Sequence, residues 1–584
     1  MCGIIGFIDK KNILSAKERK QIGRKMLQRI EYRGRDSSGL CCINNIVIGH
    51  NRLAIIDTSK KASQPFFNKK KTFVISYNGE IFNHIELRKI IKNKKYQSIS
   101  DTETLVHAYE EFGNKSFELL RGMFATSLYN IKDDNITLAM DQFGIKPLYY
   151  LDTPDWFAWS SEAKIFSLLP NFEILVNEDR FLEYGIFRNI ANSDETIFKG
   201  IKKLLPWEIL TYSTRQDMIK ISTYKIKMQP IKNIDKLLHE SVYEHLLSDV
   251  PIGLQLSGGV DSSLISILAS KQLKQKNIHS FSMGLLDSNW NEFKYSRLIS
   301  SLIKTRHHKI IFTQQEFCKL LPIATYHLDE PVSYPNTIPI MILAKKARKY
   351  VKVLLSGEGA DEIFGGYLRY SRLIKQKITS NNLLFSNSFC TPKQIRSVIN
   401  ISKKENLSER KSLVKKLNKY TSAYKLSIYD TKTFLPSLLL RQDKMGMASN
   451  LENRFPFLDS RLVSSALSLA DKDKVTSVET KVLLKKIANK YLPREIVYRK
   501  KCGFGLPISD WLKDQNGFGK YLTLFTNPKI KRHYLNYKHI SKLITEHLTE
   551  KKNNSEILWI LINLEIWAKI FIDNEDQKNI WSRL

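Results

Sequence analysis

The pattern of hydrophobic residues changes once along this chain, and the change separates two kinds of fold. In the first 200 or so residues, short β-rich runs are bounded by Gly, Asn or Asp, which is typical of antiparallel strands joined by turns. Later, short apolar runs alternate with helix-length segments, which predicts a parallel sheet covered by helices. A chain of 584 residues is also too long for one hydrophobic core. The sequence therefore predicts an α/β protein in which a layered α+β sandwich precedes a parallel-sheet domain.

Four segments follow from this pattern. We expect a first domain over residues 2–205, a linker over 206–235, a second domain over 236–530 and a C-terminal helical tail over 531–584. The linker is placed where the chain is polar and lysine-rich, around residues 211–232, and the tail holds a helix with one apolar face. Asp101 is the expected cap of a helix over 102–112. The predicted strands are 4–8, 46–49, 53–56, 73–77 and 124–129 in the first domain, and 252–256, 278–283, 308–312 and 351–355 in the second.

Composition limits the compartment and the partners. The six cysteines form no C-x-x-C pair, which argues against zinc or a disulfide framework and suits a reducing cytoplasm. No stretch approaches the ~20 apolar residues of a membrane span, and no secretory signal is recognised. The net charge of +34 would suit nucleic acid or acidic ligands. Because the lysines are spread along the whole chain, we favour a lysine-rich surface and expect no nucleic-acid partner.

Cys2 is a candidate nucleophile because it follows the initiator methionine and precedes Gly3. Removal of Met1 would leave a thiol and a free α-amine on one residue. The thiolate is the nucleophilic form of cysteine, and an amine that titrates near neutrality can accept its proton. Most cysteines near a terminus are ordinary small hydrophobic residues, so the interpretation depends on the residues that accompany Cys2.

Five further residues supply what an amidase acting on an amino acid needs. Attack on an amide carbonyl creates an oxyanion, for which the Asn78 side chain and the Gly79 backbone N–H are candidate donors. Arg52 is a candidate for a bidentate grip on the substrate carboxylate. Asp101 is a candidate partner for the substrate ammonium group, and Glu80 a candidate for the pocket wall. Each has an ordinary alternative, since Asn-Gly is a common hairpin turn and Asp101 could only cap its helix.

Taken together, eight stretches of the first domain resemble the class II glutamine amidotransferase domain, an N-terminal nucleophile fold. They are residues 2–4, 32–39, 49–57, 64–65, 77–80, 100–103, 121–125 and 143–150. The resemblance implies that Cys2 attacks glutamine, that a thioester forms, that ammonia leaves and that water regenerates the enzyme. Two positions depart from the family pattern: Arg35 replaces a usual proline and Met140 a usual arginine.

Two glycine-rich runs in the second domain suggest a nucleotide site. Ser257-Gly258-Gly259-Val260-Asp261-Ser262 joins an apolar run to a helical pattern. Its glycines let the backbone approach phosphate, and helix-start N–H groups favour anions. No lysine follows the glycines, so the run is not a Walker loop. The second run, residues 355–367, follows another apolar run, and its Asp361 could complete a Mg²⁺ site with Asp261.

The first run resembles the PP-loop of enzymes that cleave ATP between its α- and β-phosphates, and the chain as a whole resembles the glutamine-hydrolysing asparagine synthetase family over about residues 2–515. Supporting stretches are 248–253, 328–331, 441–448, 451–459, 480–481 and 501–504. The resemblance implies that Glu358 supports formation of an acyl-adenylate and its attack by ammonia, and that Lys481 stabilises the pentavalent phosphate. The residues that it implies contact ATP are Leu256, Met283, Ser356 and Gly357.

The expected reaction is ATP-dependent amidation of a carboxylate, with ammonia guided through an internal channel from Cys2 to Glu358. Aspartate is the expected acceptor, giving asparagine, glutamate, AMP and pyrophosphate, with ATP and Mg²⁺ as cofactors. Gly446, Ser449, Asn450 and Asn453 differ from the usual family pattern, so a uronic-acid carboxylate of a surface polysaccharide pathway is the alternative acceptor. A PP-loop tRNA-modifying enzyme would suit the high positive charge. Such enzymes often need paired cysteines near the nucleotide site, and this sequence has none. A homodimer is left open.

Overall fold

A computed structural model describes residues 2–91, 94–226, 230–273, 277–286, 291–400, 407–500 and 505–584. The quoted stretch 501–504 lies outside these residues. The first half of the chain contains twelve strands within the described ranges. They are β1 (Gly3–Asp9), β2 (Ser37–Ile43), β3 (Ile46–Arg52), β4 (Phe66–Phe67), β5 (Phe73–Ile81), β6 (Gly122–Asn130), β7 (Asn135–Met140), β8 (Tyr149–Asp152), β9 (Trp156–Ser160), β10 (Ile201–Lys203), β11 (Glu208–Ser213) and β12 (Met218–Thr223).

These strands form two six-stranded antiparallel sheets, in the orders β10-β8-β9-β1-β3-β2 and β12-β11-β7-β6-β5-β4. Central β1 and β3 are buried along their whole length, because side chains on both faces of their sheet are covered. The sheets pack through a shared core that includes Ile4, Ile48, Leu138 and Trp159. The antiparallel sandwich predicted for the first domain is confirmed, and Cys2 lies at the beginning of its central strand.

Three local predictions for this half are wrong. Residues 53–56 form a loop instead of a strand. The Arg52 guanidinium donates hydrogen bonds to the backbone carbonyls of Ile56 and Ser59 in this loop, and a carbonyl bonded in this way does not pair with a neighbouring strand. The predicted linker contains β11 and β12, and β11 pairs with β7 to extend the second sheet. Ser100, not Asp101, is the N-cap of the helix that begins at Asp101, because its side chain accepts from the Thr102 N–H.

The second half holds a five-stranded parallel sheet in the order β15-β14-β13-β16-β17. Its strands are β13 (Ile252–Gln255), β14 (His279–Leu285), β15 (Arg306–Phe312), β16 (Val353–Leu355) and β17 (Glu452–Arg454). The parallel sheet and its first four strands are confirmed. The short β17, buried throughout, lacks a hydrophobic run and was not predicted. The glycine-rich runs follow β13 and β16, so adjacent strands deliver both to one edge of the sheet.

Helices surround this sheet and fill the C-terminal region. The first half of the chain contributes α1 (Ala16–Arg29), α2 (His84–Ile90), α3 (Asp101–Phe112) and α4 (Phe181–Phe187). The later ones are α5 (Ile234–His245), α6 (Val260–Gln272), α7 (Phe293–Leu302), α8 (Gln314–Leu328), α9 (Thr337–Ala347), α10 (Ala360–Phe364), α11 (Leu368–Lys375), α12 (Ser380–Leu384), α13 (Pro392–Val398), α14 (Ser408–Leu417), α15 (Ser422–Thr433), α16 (Leu435–Met447), α17 (Ser460–Leu467), α18 (Asp471–Lys474), α19 (Val482–Ala488), α20 (Arg494–Val497), α21 (Ile508–Trp511), α22 (Thr523–Thr526), α23 (Tyr537–Leu548) and α24 (Ser555–Phe571).

The C-terminal segment is part of the core, not a peripheral tail. Every residue of α24 except Glu556 is buried, in contrast to the single apolar face expected from its sequence. Trp559 and Trp567 donate to the backbone carbonyls of Val332 and Asp329, which fixes the helix beside α8. In the ranges that the structure describes, no helix combines the length and apolarity that crossing a bilayer requires.

Candidate functional site

The residues proposed for glutamine chemistry come together at the edge of the first sheet. Cys2, Arg52, Gly79, Glu80 and Asp101 line one small pocket of about 30 Å³. Strand β1 supplies the thiol, β3 the arginine, β5 the glycine and Glu80, and the start of α3 the aspartate. A volume of this size holds about one water molecule, so the pocket must widen to admit an amino acid.

Asn78 is bonded directly to the candidate nucleophile. The backbone N–H of Cys2 donates to Asn78 Oδ1 at 2.8 Å. Asn78 Nδ2 is buried and has no hydrogen-bond partner within the described residues, so it is a free donor beside the thiol. Gly79 also has a packing reason to be glycine, because a Cβ there would lie 2.3 Å from the Met123 carbonyl oxygen. The arrangement can supply an oxyanion with preorganised donors.

The Cys2 thiol needs a base to accept its proton, and the groups around it limit which one can do so. Burial raises the pKa of Cys2, so the thiolate is disfavoured until a group accepts the proton. His50 is not that group: burial lowers its pKa to about 3, and its ring nitrogen Nε2 lies 2.9 Å from the Tyr77 carbonyl oxygen. The backbone nitrogen of Cys2 itself remains, which would be an amine once Met1 is removed.

Arg52 and Asp101 are both held rigidly. Arg52 donates to the carbonyls of Ser59 at 3.0 Å and Ile56 at 3.3 Å, and also to that of Asp57. The Asp101 carboxylate accepts from the Tyr77 hydroxyl at 2.8 Å and from the backbone N–H groups of Ile81 and Thr102. These contacts place a cation and an anion on the same pocket, which matches the two charges of an amino acid.

Glu80 is linked to the second half of the chain. Its Oε2 accepts from Arg454 Nη2 at 3.0 Å, and Arg454 Nε donates to Glu452 Oε1 at 2.6 Å. Burial raises the pKa of Glu80 with a further contribution from Asp101, whereas Arg454 holds the pKa of Glu452 below its usual range. Arg454 therefore ties the Cys2 pocket to β17.

The two glycine-rich loops touch each other at the edge of the parallel sheet. A Cβ on Gly357 would lie 2.8 Å from the backbone nitrogen of Ser262, so the loops approach as closely as glycine allows. Gly258 has φ +78°, a left-handed conformation that favours glycine. The Ser257 and Ser262 hydroxyls lie 2.9 Å apart, and Gly259 is the N-cap of α6. Leu256 is buried beneath them, and Met283 lies near the end of neighbouring β14.

Lys481 joins the two carboxylates proposed to hold metal. Its Nζ lies 2.5 Å from Asp261 Oδ2 and 2.6 Å from Asp361 Oδ1. Gly366 makes room for this contact, because a Cβ there would lie 1.9 Å from Asp361 Oδ1. No group of three metal-ligating side chains occurs among the described residues. Mg²⁺ commonly takes one or two carboxylates and completes its shell with water and substrate phosphates, so the pair Asp261 and Asp361 fits a Mg²⁺–nucleotide site.

Glu358 is oriented by residues of α16. Gln442 Nε2 donates to Glu358 Oε2 at 3.0 Å, and Arg441 Nη2 lies 3.5 Å from the same oxygen. Ser356, which precedes the loop, donates its N–H to the Arg454 carbonyl at 2.9 Å. The carboxylate therefore has a fixed position next to the glycine-rich loops.

A buried ion network connects Cys2 with Glu358. Arg33 Nε donates to the Cys2 carbonyl at 3.2 Å, and its two Nη atoms contact Glu162 and Asp443, each at 2.8 Å. Asp443 directly follows Gln442, which holds Glu358. Lys444 adds contacts to Glu162 at 3.0 Å and to Asp329 at 2.7 Å. The side chains of Arg33, Glu162, Asp329, Asp443 and Lys444 are all fully withdrawn from solvent, so the two candidate sites share one buried framework.

Sequence reasoning quoted the motifs of this framework but assigned no role to Arg33, Gln442, Asp443 or Arg454. It also missed Arg499, whose Nε donates to the Gly258 carbonyl at 3.1 Å. Charged residues inside otherwise apolar motif runs were the available signal, because ionised groups are rarely buried without a partner. The pairs Arg33–Asp443 and Arg454–Glu80 are 410 and 374 positions apart and could not be found from spacing.

Gly446 and Asn453, two of the departures from the family pattern, compensate for each other. A Cβ on Gly446 would lie 2.7 Å from Asn453 Nδ2, so the asparagine amide fills the space that a larger residue would use. The same Nδ2 donates to the Gln442 carbonyl at 2.7 Å. Asn453 of β17 therefore packs against Gly446 of α16 and is hydrogen-bonded to the Gln442 backbone.

Comparisons with known proteins agree for both halves of the chain. The description "Asparagine synthase" matches residues 233–569, and "Glutamine amidotransferase domain" matches residues 1–225. Asparagine synthetase (glutamine-hydrolyzing) 1 of Bacillus subtilis strain 168 is 30% identical over 623 aligned positions, covering 98% of this chain and 97% of that protein. The Zea mays asparagine synthetase (glutamine-hydrolyzing) is 29% identical, covering 89% and 80%. The solved glutamine phosphoribosylpyrophosphate amidotransferase from B. subtilis covers 53% and 81% at 14% identity, and its TM-score of 0.29 is too low to carry an argument.

Proposed function

This chain belongs to the asparagine synthase family, and from that premise we propose that it converts aspartate to asparagine with ammonia taken from glutamine. ATP drives the reaction by converting the acceptor carboxylate into an acyl-adenylate. Glutamate, AMP and pyrophosphate are the other products. The observation that carries the proposal is the buried chain of contacts from Cys2 through Arg33 and Asp443 to the residue that holds Glu358.

In the glutaminase step, the mature Cys2 amine accepts the thiol proton and the thiolate attacks the glutamine amide carbon. Asn78 Nδ2 and the Gly79 N–H stabilise the oxyanion that forms. When it collapses, the C–N bond breaks and the protonated amine returns its proton, so that NH₃ leaves and a thioester remains. Water hydrolyses the thioester to glutamate. Arg52 and Asp101 hold the substrate carboxylate and ammonium group.

In the synthetase step, the ATP site consists of Leu256, Ser257, Gly258, Gly259, Asp261, Ser262, Met283, Ser356 and Gly357. The acceptor carboxylate attacks the α-phosphate, the bond to pyrophosphate breaks, and Lys481 stabilises the crowded phosphate with its positive charge. Ammonia then attacks the acyl carbon, AMP leaves, and Glu358 is positioned to accept the excess proton. Asp261 and Asp361 would hold Mg²⁺, which supplies charge neutralisation on the phosphates when bound.

Ammonia transfer between the sites is the remaining part of the proposal. Free ammonia is mostly protonated near neutral pH and would then be no nucleophile, so an enclosed route from Cys2 to Glu358 has a chemical purpose. Met123 and Ile145 of the first half share one apolar core with Leu256 and Leu355 of the second. An apolar boundary of this kind favours NH₃ over the charged ammonium ion.

The separation of the two sites is tested with one variant in each. Cys2→Ala should abolish glutamine-dependent asparagine formation and leave ammonia-dependent formation, measured with ammonium chloride as the nitrogen source. Glu358→Gln should abolish AMP release with either source, while glutamate release continues. Loss of both activities in both variants, with their folding intact, would contradict separate sites.

The identity of the acceptor, the cellular location and the oligomeric state each need their own measurement. Incubation with ATP, glutamine and a set of carboxylates that includes aspartate and a uronic acid should release AMP with aspartate; release only with the uronic acid would replace the aspartate assignment. A cytoplasmic location and a homodimer are further proposals, to be checked by fractionation and by light scattering.

A further inference from the structure

A cavity of about 500 Å³ lies between the two halves of the chain and belongs to neither proposed catalytic site. Its walls come from residues 140–149 and 189–208 of the first half and from α15, α16 and α17 of the second. It shares no lining residue with the Cys2 pocket and none with the proposed ATP site. Cavities of 300–1,000 Å³ are typical of small-molecule sites, so this one has the size to hold a ligand.

Most of the cavity wall is apolar. Aromatic rings, proline rings and aliphatic side chains face the space, and they include Phe143, Pro147, Trp207, Pro436, Leu440 and Val463. Such a wall stabilises an apolar group by removing its surface from water, at about 25 cal/mol per Å². One part of any occupant is therefore hydrophobic.

One region of the wall carries unpaired polar groups. Within the described ranges, neither the Glu330 carboxyl nor the Tyr149 hydroxyl has a hydrogen-bond partner, although Tyr149 is only 2% exposed. Lys203 Nζ donates once, to the Ile190 carbonyl at 2.6 Å, and can donate twice more. Lys203 and Glu330 do not form an ion pair with each other, yet each lies within the electrostatic influence of the other.

Lys203 and Glu330 are part-buried and line the same cavity. Partial burial lowers the pKa of Lys203 and raises the pKa of Glu330. A purely structural pair of opposite charges would be expected to close into direct contact, and these two do not. A zwitterion placed between them would supply both missing counter-charges at once.

We propose that this cavity binds a free α-amino acid with an apolar side chain. The ligand ammonium group faces Glu330 and the Tyr149 hydroxyl, its carboxylate faces Lys203, and its side chain packs against Phe143 and Trp207. The polar side chains of glutamine and aspartate would be left unpaired against the apolar wall, so they are poor occupants. Because both halves of the chain line the cavity, the ligand should stabilise their association.

The test is calorimetric titration of the full-length enzyme with L-phenylalanine or L-leucine, in saturating L-glutamate and L-aspartate without ATP so that the catalytic amino-acid sites are filled. We expect binding with a Kd of about 1 mM or tighter, and a rise in the thermal midpoint. Phenethylamine lacks the carboxylate and 3-phenylpropionate lacks the amine. Each should bind at least about tenfold more weakly, which is a loss of about 1.4 kcal/mol.

Two variants locate the site. Glu330→Gln should weaken L-phenylalanine binding at least about tenfold, and Ser464→Trp on α17 should block it by filling the cavity from the opposite wall. Glu173→Gln changes an exposed glutamate elsewhere and should bind normally. If Glu330→Gln does not fold, L-phenylalanine binding to Ser464→Trp still tests whether the ligand occupies this cavity. Absence of binding to the wild-type enzyme, binding of either analogue as tightly as L-phenylalanine, or unchanged binding in folded Ser464→Trp would each overturn the proposal.

Discussion

Replacement of Asn78 by alanine should cripple glutamine hydrolysis without affecting chemistry at the second site. The Asn78 side chain is fully buried, its Oδ1 accepts from the Cys2 N–H at 2.8 Å, and its Nδ2 has no partner in the described part of the chain. A buried donor without a partner costs about 1–3 kcal/mol in the resting protein. An oxyanion would take up that donor, so the interaction is strongest in the transition state.

The expected loss follows from the value of one such donor. Removing a single oxyanion donor costs about 10²–10³ in kcat, or about 2.7–4 kcal/mol. Asn78→Ala should therefore reduce glutamate release by that factor, and Asn78→Asp should do so at least as strongly, since it retains the acceptor for Cys2 but loses the donor. Ammonia-dependent AMP formation should be unchanged, because Glu358 and Lys481 are untouched.

The assay measures glutamate release from glutamine and AMP release with ammonium chloride, with the thermal midpoint as a check of folding. Asn114→Ala, which changes an exposed asparagine, is the matched control. A loss of less than about tenfold in glutamate release would refute the oxyanion role. A parallel loss of ammonia-dependent activity in a folded variant would show that Asn78 acts through the structure instead.

Three further outcomes are expected. Arg33→Met removes one of the cations that pair with Glu162 and leaves Asp443 with the more distant Lys146, at 3.7 Å, so it should lower the free energy of unfolding, measured in urea, by about 3–5 kcal/mol. Arg35→Met, at an exposed position, should change that free energy by less than about 0.5 kcal/mol. Burial lowers the pKa of His245 from 6.5 to about 4. As the pH drops through that interval, the unfolded chain takes up this proton before the folded protein does, so the free energy of unfolding falls by up to about 1.4 kcal/mol per pH unit. His245→Gln should therefore make the loss of stability with falling pH less steep, and an unchanged slope would contradict this reasoning. Lys481→Met should lower AMP formation by roughly 10²-fold and spare glutamate release, and normal AMP formation would exclude its role.

The fold could be predicted where a local pattern carries the information. Short β-rich runs bounded by turn residues located β1, β5 and β6, and apolar runs followed by glycines located β13 and β16. The family resemblance read from ordered motifs is confirmed by the matches over both halves. The order of the motifs was sufficient to identify the family. Each motif is a strand end or a loop, where the local backbone geometry and chemistry determine which residue types can stand.

The remainder depends on contacts that no local pattern records. The hairpin of β11 and β12 is polar because it lies at the edge of its sheet, and it therefore looked like a linker. Helix α24 is buried on all sides by elements distant in sequence, so its single apolar stripe understated its burial. Arg33 and Arg454 join the two halves across more than 370 positions, a distance over which spacing gives no information.

The most direct test of the central claim follows the nitrogen atom. The enzyme is given ATP, aspartate and amide-¹⁵N glutamine in the presence of excess unlabelled ammonium, and the ¹⁵N content of the asparagine formed is measured by mass spectrometry. If ammonia released at Cys2 travels inside the protein to the adenylate beside Glu358, the asparagine keeps the glutamine label at early times. Asparagine whose label is diluted to the ratio of the bulk solution would contradict internal transfer.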